Sequence, residues 1–445
     1  MQRTPVLATL FLIVLLGPTH GATFVDVSKD AGLDNLGGGG SAAWTDYDAD
    51  GHVDLYAGGI LFHNDAGEGF TDVTEAAGLP AGTRGATWGD CDKDGDPDLF
   101  LWKGTGRLFL NDGDGSFTDA SSGLPELPMP VSRGATWADV NGDGLLDLYV
   151  GGYERWQKAI YPDALLLNED GKTFRLAWQQ RGKNIRSGRG VTACDFDEDG
   201  DTDIYVSNYR LQPNILWRND DGTLVDVAAE YGAAGNPKQK INYTGGIRYG
   251  VAGHTIGSAW GDLDNDGHVD LFVGNFSHPP AYQDRPQFLR NQGPPDYHFE
   301  DVSDRAGLAW QESYASPALA DYDNDGDLDL FLSTIYGGDH GVLYRNNGAW
   351  KFTDVTSEAG IRSDRTYQAA WGDYDGDGNM DLLTDGRLYE NRTTGGHWVT
   401  VKLRGAATVP GTVVRLEAGD LTLTRRSMGA TFEGNQNDPA VHCGT

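Results

Sequence analysis

One nine-residue segment recurs seven times along the chain. It reads D-x-D/N-x-D-G-x-x-D and begins at Asp46, Asp90, Asp139, Asp195, Asp262, Asp321 and Asp373. By subtraction, successive starts lie 44, 49, 56, 67, 59 and 52 residues apart, the period of a four-stranded blade rather than of a helical solenoid. Each copy runs into an apolar or alternating stretch such as Asp98-Leu99-Phe100-Leu101 or Asp329-Leu330-Phe331-Leu332, which reads as a strand. Flanking strands also argue against an EF-hand, whose loop joins helices.

Two other elements keep step with the repeat. A Leu/Phe-x-x-Asn turn entry falls at Asn64, Asn111, Asn168, Asn219, Asn291, Asn346 and Asn391, with Asp or Gly usually following as a hairpin requires. A Phe-x-Asp-Val-like strand falls at Phe24, Phe70, Phe117, Phe174, Leu224, Phe299 and Phe352. One copy of it precedes the first acidic loop and none follows the last, so the first strand should complete the last blade and close a ring without exposed edges. The segments entering the loops, such as Ala42-Ala43-Trp44 and Ala369-Ala370-Trp371, pair small residues for a crowded axis with Trp for the core between blades. The expected fold is all-β: a seven-bladed β-propeller over residues 23–394, with a small C-terminal β appendage over 395–445.

Residues 1–22 read as a secretory signal peptide, with Arg3 before an apolar run from Leu7 to Leu16 and small residues near Gly21 and Ala22. Ten or so apolar residues are too few to span a bilayer, and no later segment is apolar enough. The expectation is a secreted protein, extracellular or periplasmic, without a membrane span. A formal net charge of −32, from 66 acidic and 34 basic residues, speaks against nucleic acid and anionic membrane as partners. Cys91, Cys194 and Cys443 lack metal-ligand spacing, and the first two are expected to be buried free thiols.

Calcium takes six to eight oxygens at about 2.3–2.6 Å, and carboxylates alternating along a tight loop can supply them. The loops offer Asp46, Asp48, Asp50 and Asp54; Asp90, Asp92, Asp94 and Asp98; Asp139, Asn141, Asp143 and Asp147; and Asp195, Asp197, Asp199 and Asp203. They continue with Asp262, Asp264, Asp266 and Asp270; Asp321, Asp323, Asp325 and Asp329; and Asp373, Asp375, Asp377 and Asp381. Position six is always Gly, where the chain must turn sharply, and position seven would add its carbonyl. A single acidic turn is as well read as a solvated surface loop; seven in register are read as sites for up to seven calcium ions. Their 27 carboxylates, six sets of four and one of three, account for most of the net charge.

These loops, and Trp371-Gly-Asp-Tyr-Asp-Gly-Asp-Gly378 above all, resemble the FG-GAP or VCBS-type repeats of integrin α-chain propellers and of the cartilage acidic protein family. Residues from Gly396-His397-Trp398 to Val441-His442 resemble the ASPIC/UnbV segment that follows such propellers. The resemblance implies the fold and the calcium sites, and no catalytic residues.

In a propeller, loops joining first to second strands share one face, here the acidic one. The long insertions belong to the other face and cluster in the middle blades, where a lopsided bowl is expected. Six residues before the loop starts, blades two, three and four place Arg84, Arg133 and Arg189. Guanidiniums at a channel mouth suit a carboxylate, sulfate or phosphate; stapling neighbouring blades is an equal alternative. Tyr209, Arg210, His254 and Tyr336 join this candidate ligand site, while His278 and His340 read as surface histidines. Two functions are carried forward: an extracellular binding or adhesion module for a protein, glycan or small anionic ligand, and an enzyme (lyase, hydrolase or cyclase) using the bowl.

Overall fold

The computed structural model describes residues 24–104, 106–155, 158–182, 185–243, 246–277, 284–403, 411–419, 421–427, 429–431 and 434–445, with the backbone alone over 237–243 and 246–252. The leader read at 1–22 and His278 lie outside these residues.

Seven four-stranded antiparallel sheets surround an axis. Blade one is built from Ala42–Thr45, Asp54–Ala57, Ile60–Asn64 and Phe70–Asp72, and blades two to six repeat that order. Blade seven takes three strands from Ala370–Gly372, Asp381–Thr384 and Arg387–Asn391, and its outer strand is Phe24–Asp26 from the start of the chain. Phe24 pairs with Asn391 and Asp26 with Tyr389, so the ring closes as the strand count implied.

Apolar contacts between blades are aromatic and directional. Tyr56, Phe100, Tyr205 and Phe331 on second strands meet Trp88, Trp137, Trp260 and Trp371 of the following blade's inner strand edge-on, the geometry favoured by the ring quadrupole. These four Trp residues and Trp44 are buried, as core rather than as ligand platforms. Polar staples repeat with the same period. The amide Nδ2 of Asn64, Asn111, Asn168, Asn219, Asn291, Asn346 and Asn391 donates to a carbonyl in the preceding blade's acidic loop, at Tyr374, Tyr47, Cys91, Val140, Phe196, Leu263 and Tyr322. Every Asn of the turn entry thus ties one loop to its neighbour. Cys91, Cys194 and Cys443 are buried free thiols.

The blades are unequal. Inner strands have seven residues in blades three to six, but four in blades one and two and three in blade seven. The extra length lies at the end away from the acidic loops. Two ribbons, Glu154–Arg155 with Ala159–Ile160 and Asn236–Tyr243 with Gly246–Ala252, add to the same side, giving the bowl its high wall.

After the last blade, Trp398–Val401 pairs with Val441–Gly444 and Val413–Ala418 with Leu421–Arg426. These ribbons lie against the acidic-loop face, where Lys402 Nζ reaches the Gly51 carbonyl at 2.7 Å and the Gly444 amide donates to Asp321 at 2.9 Å. Between them the chain enters the axial channel. The Asn435 side chain accepts from the Ala42 amide, and Gln436 pairs with Ala42 and Trp44 through its backbone and accepts from Trp88 N through Oε1. Asn437 Oδ1 accepts from Trp371 N, its Nδ2 donates to Leu319 O, and Asp438 N donates to Trp371 O. The chain's own tail thus meets the inner strands of blades one, two, six and seven, so the channel has an occupant.

Candidate functional site

The acidic loops owe their shape to glycine and to their own carboxylates. The position-six glycines Gly51, Gly95, Gly144, Gly200, Gly267, Gly326 and Gly378 have φ between +87° and +102°, a region costly for any residue with a Cβ. Position four is also left-handed, at Ala49, Lys93, Glu198, Asn265 and Asn324, a constraint hidden in the sequence because these side chains differ. The ninth-position aspartates are buried and each accepts two backbone amides. Asp54 takes those of Tyr47 and Asn64 at 3.0 and 2.8 Å, and Asp329 those of Tyr322 and Asn346 at 3.2 and 2.7 Å. The first Asp accepts the glycine amide, as Asp262 does from Gly267 at 3.0 Å.

Those bonds leave other oxygens with nothing. Asp46, Asp90, Asp92, Asp195, Asp197, Asp264, Asp323 and Asp373 each keep a buried Oδ1 that has no hydrogen-bond partner. They occupy the first or third ligand position in six of the seven blades. Buried oxygens are costly to leave unpaired, and the cost recurs at one register. In four loops, Asp46/Asp48/Asp50, Asp90/Asp92/Asp98, Asp195/Asp197/Asp199 and Asp262/Asp264/Asp270, ligand atoms lie within 4.8 Å of one another. A hard cation answers both the orphaned oxygens and their convergence, so the residues present fit calcium.

The electrostatics agree. Burial, reinforced by neighbouring carboxylates, pushes Asp54 up to about 8 and Asp98, Asp147, Asp262, Asp321, Asp323 and Asp373 up to about 7. Asp90, Asp195 and Asp197 rise to about 6 for the same reason. Carboxyls held this far above their ordinary range need a proton or a cation. Blade one adds a neighbour that sequence reasoning missed: His63 Nδ1 lies 3.1 Å from Asp48 and 3.5 Å from Asp54.

On the opposite face the predicted ligand residues gather unevenly. Arg189 is buried, its guanidinium carbon 4.9 Å from the ring centre of Tyr209, 5.4 Å from Tyr153, 5.6 Å from Tyr367 and 5.9 Å from Phe276. Its Nη2 donates to the Tyr367 hydroxyl at 3.2 Å. Arg133 lies over the other arginine's neighbour Tyr153 at 5.5 Å, and His254 packs 4.2 Å from Tyr209. Tyr336 stands 5.4 Å from Phe276. Arg210 is held by Glu154 through Nε and Nη2, the shortest contact being 2.6 Å, which staples blade four to the blade-three ribbon. Arg84 is exposed and lies across the Gly39–Gly40 backbone. The structure therefore joins Arg133, Arg189, Tyr209, His254 and Tyr336 through one aromatic cluster, and sets Arg84 and Arg210 around it.

Comparison with known proteins agrees with this architecture. The family described as FG-GAP-like repeat matches residues 102–150, 195–273, 262–332 and 321–384, together more than half of the chain. The chain belongs to the FG-GAP-like repeat family, as a seven-bladed propeller. It is similar to cartilage acidic protein 1 of Xenopus tropicalis, 28% identical over 204 residues, and of Homo sapiens, 27% identical over 204 residues. Each match covers 44% of this chain and 28% of the relative, so the chain spans under a third of the curated relatives it matches. Among solved structures, BBS1N in complex with ARL6DN has a TM-score of 0.47 at 11% identity, covering 84% of this chain and 97% of that one. Rhamnogalacturonan lyase YesW has a TM-score of 0.32 at 13% identity, covering 80% and 71%.

Proposed function

We propose that this protein is a secreted, calcium-stabilised propeller that acts as an extracellular binding or adhesion module. The observation that carries the calcium reading is the set of buried, partnerless carboxylate oxygens that recurs at the first or third ligand position in six blades. Calcium, when bound, supplies the positive charge those oxygens lack; the chain supplies the ligands, the glycine turn and the Asn staples that hold each loop to the next blade. Kinship with proteins named for cartilage and for acidity is in keeping with an extracellular setting. Among the described residues no helix is long and apolar enough to cross a membrane.

The ligand surface is placed on the face away from the loops, since the C-terminal ribbons occupy the loop face. Arg84, Arg133 and Tyr336 would face the ligand there, set on the buried cluster of Arg189, Tyr209 and His254 and beside Arg210 with its partner Glu154, a chemistry suited to a glycan or an anionic group on a protein partner.

Chelation tests the reading. Adding EDTA at neutral pH should lower the unfolding temperature by about 10 °C, because several ions that bind only the folded state are withdrawn. Excess calcium should restore it, and magnesium much less, since magnesium demands a tighter octahedral shell. A melting curve indifferent to the chelator would overturn the proposal.

A further inference from the structure

The seven loops share a motif but not a surrounding. The residue just before each stapling Asn lies on the third strand beside the loop of its own blade. It is His63 in blade one, Arg218, Arg290 and Arg345 in blades four to six, and Glu390 in blade seven. While their charges still reach Asp197 and Asp323 of their own loops, two of the three arginines hydrogen-bond outside the ligand set: Arg218 pairs with Asp220 at 2.9 Å, and Arg345 donates to Asn347 at 3.3 Å. Arg290 does not. Its Nε lies 2.8 Å from Asp264 Oδ2 and its Nη2 lies 2.9 Å from Asp266 Oδ2, so one guanidinium spans the third and fifth ligand positions of blade five. Trp350 of the next blade donates to the same Asp264 oxygen at 3.0 Å.

A second guanidinium closes the loop from within. Arg425, buried in the C-terminal ribbon, donates to the Asn265 side chain at 3.3 Å and to the Gly326 carbonyl at 2.7 Å, which sets its charge between the loops of blades five and six. Blade seven is the contrast. Among the described residues, no lysine or arginine forms an ion pair with Asp373, Asp375, Asp377 or Asp381.

We propose that Arg290 is a tethered cation that weakens the calcium site of blade five below what its four carboxylates would give, so that the loops fill in classes rather than as seven equals. The proposal rests on the calcium reading above and deepens it. Calcium affinity follows the net charge of the ligand set. A guanidinium on two of four carboxylates cancels part of that charge and repels the arriving ion. Even at an effective dielectric near ~20, a unit charge a few ångströms from a divalent ion shifts its binding by at least about tenfold. Asp264 Oδ1 remains buried without a partner, so the loop keeps its capacity for the ion while losing strength.

Calcium titration of the full chain at neutral pH, read by calorimetry and by equilibrium dialysis, tests this. One class should tighten about tenfold in Arg290→Gln, and the gain should vanish in the double variant Arg290→Gln/Asp264→Asn. An isotherm for Arg290→Gln superimposable on that of the unaltered protein would overturn the proposal, as would a gain that survives loss of Asp264. Those results leave the calcium reading standing. An unaltered protein that binds no calcium at all removes both.

Discussion

In metal-free buffer the protein is expected to unfold about 10 °C lower at pH 8 than at pH 5. The cause is the ladder of buried aspartates. Their carboxyls begin to lose protons near pH 4 in the unfolded chain, but hold them up to about 7 in the fold at Asp98, Asp147, Asp262, Asp321, Asp323 and Asp373, and up to about 8 at Asp54. Between those limits the folded state binds more protons than the unfolded one, so stability falls as pH rises. The contribution is fully present below about pH 4 and is lost as pH climbs through 7 to 8. Most proteins lose carboxylate stability in the opposite direction. Calcium should flatten the profile, because the ion replaces the protons. Thermal unfolding from pH 5 to 8, with chelator and with calcium, measures both curves; a metal-free protein that gains stability over this range would contradict the assignment.

The second large effect concerns the tail in the channel. Replacing Asn435 and Gln436 by alanine should cost about 4 kcal/mol, since the amides of Ala42 and Trp88 are left buried without acceptors. The backbone pairing of Gln436 with Ala42 and Trp44 would remain, so the fold should survive to be measured. Urea unfolding against the unaltered chain gives the number. Glu417→Ala, on the exposed side of the same appendage, should change stability by no more than about 0.5 kcal/mol. If the double variant unfolds like the control, the tail only rests in the channel and does not hold the blades.

These two predictions differ in how far the sequence revealed their origin. The acidic loops, the Asn turn entries and the strand at Phe24 are local patterns repeated at one period, and the ring with its borrowed strand follows from counting them. The tail is not local. Asn435-Gln436-Asn437-Asp438 reads as a polar turn in isolation, and nothing along the chain says that four inner strands offer it unpaired amides and carbonyls more than three hundred residues away in sequence from some of them.

The opposite face was legible in its residue types but not in its packing. Equal spacing from the loops placed Arg84, Arg133 and Arg189 at one height. Whether each meets an acid, a ring or solvent depends on insertions that carry no periodicity: Tyr153 and Tyr209 follow second strands lengthened only in the middle blades, and Glu154, which takes Arg210, belongs to a two-residue ribbon strand. The left-handed position four of the loops escaped for a related reason. Four different side chains, Ala, Lys, Glu and Asn, take that conformation there because the ring of hydrogen bonds around the loop holds it.

The most direct measurement is the calcium content of the full chain after dialysis against about 0.1 mM calcium at pH 7.5, read by atomic emission. Buried partnerless oxygens in six blades predict several ions per chain, on the order of four to seven, with magnesium failing to displace them at equal concentration. A protein that emerges folded and holds no calcium would contradict the account.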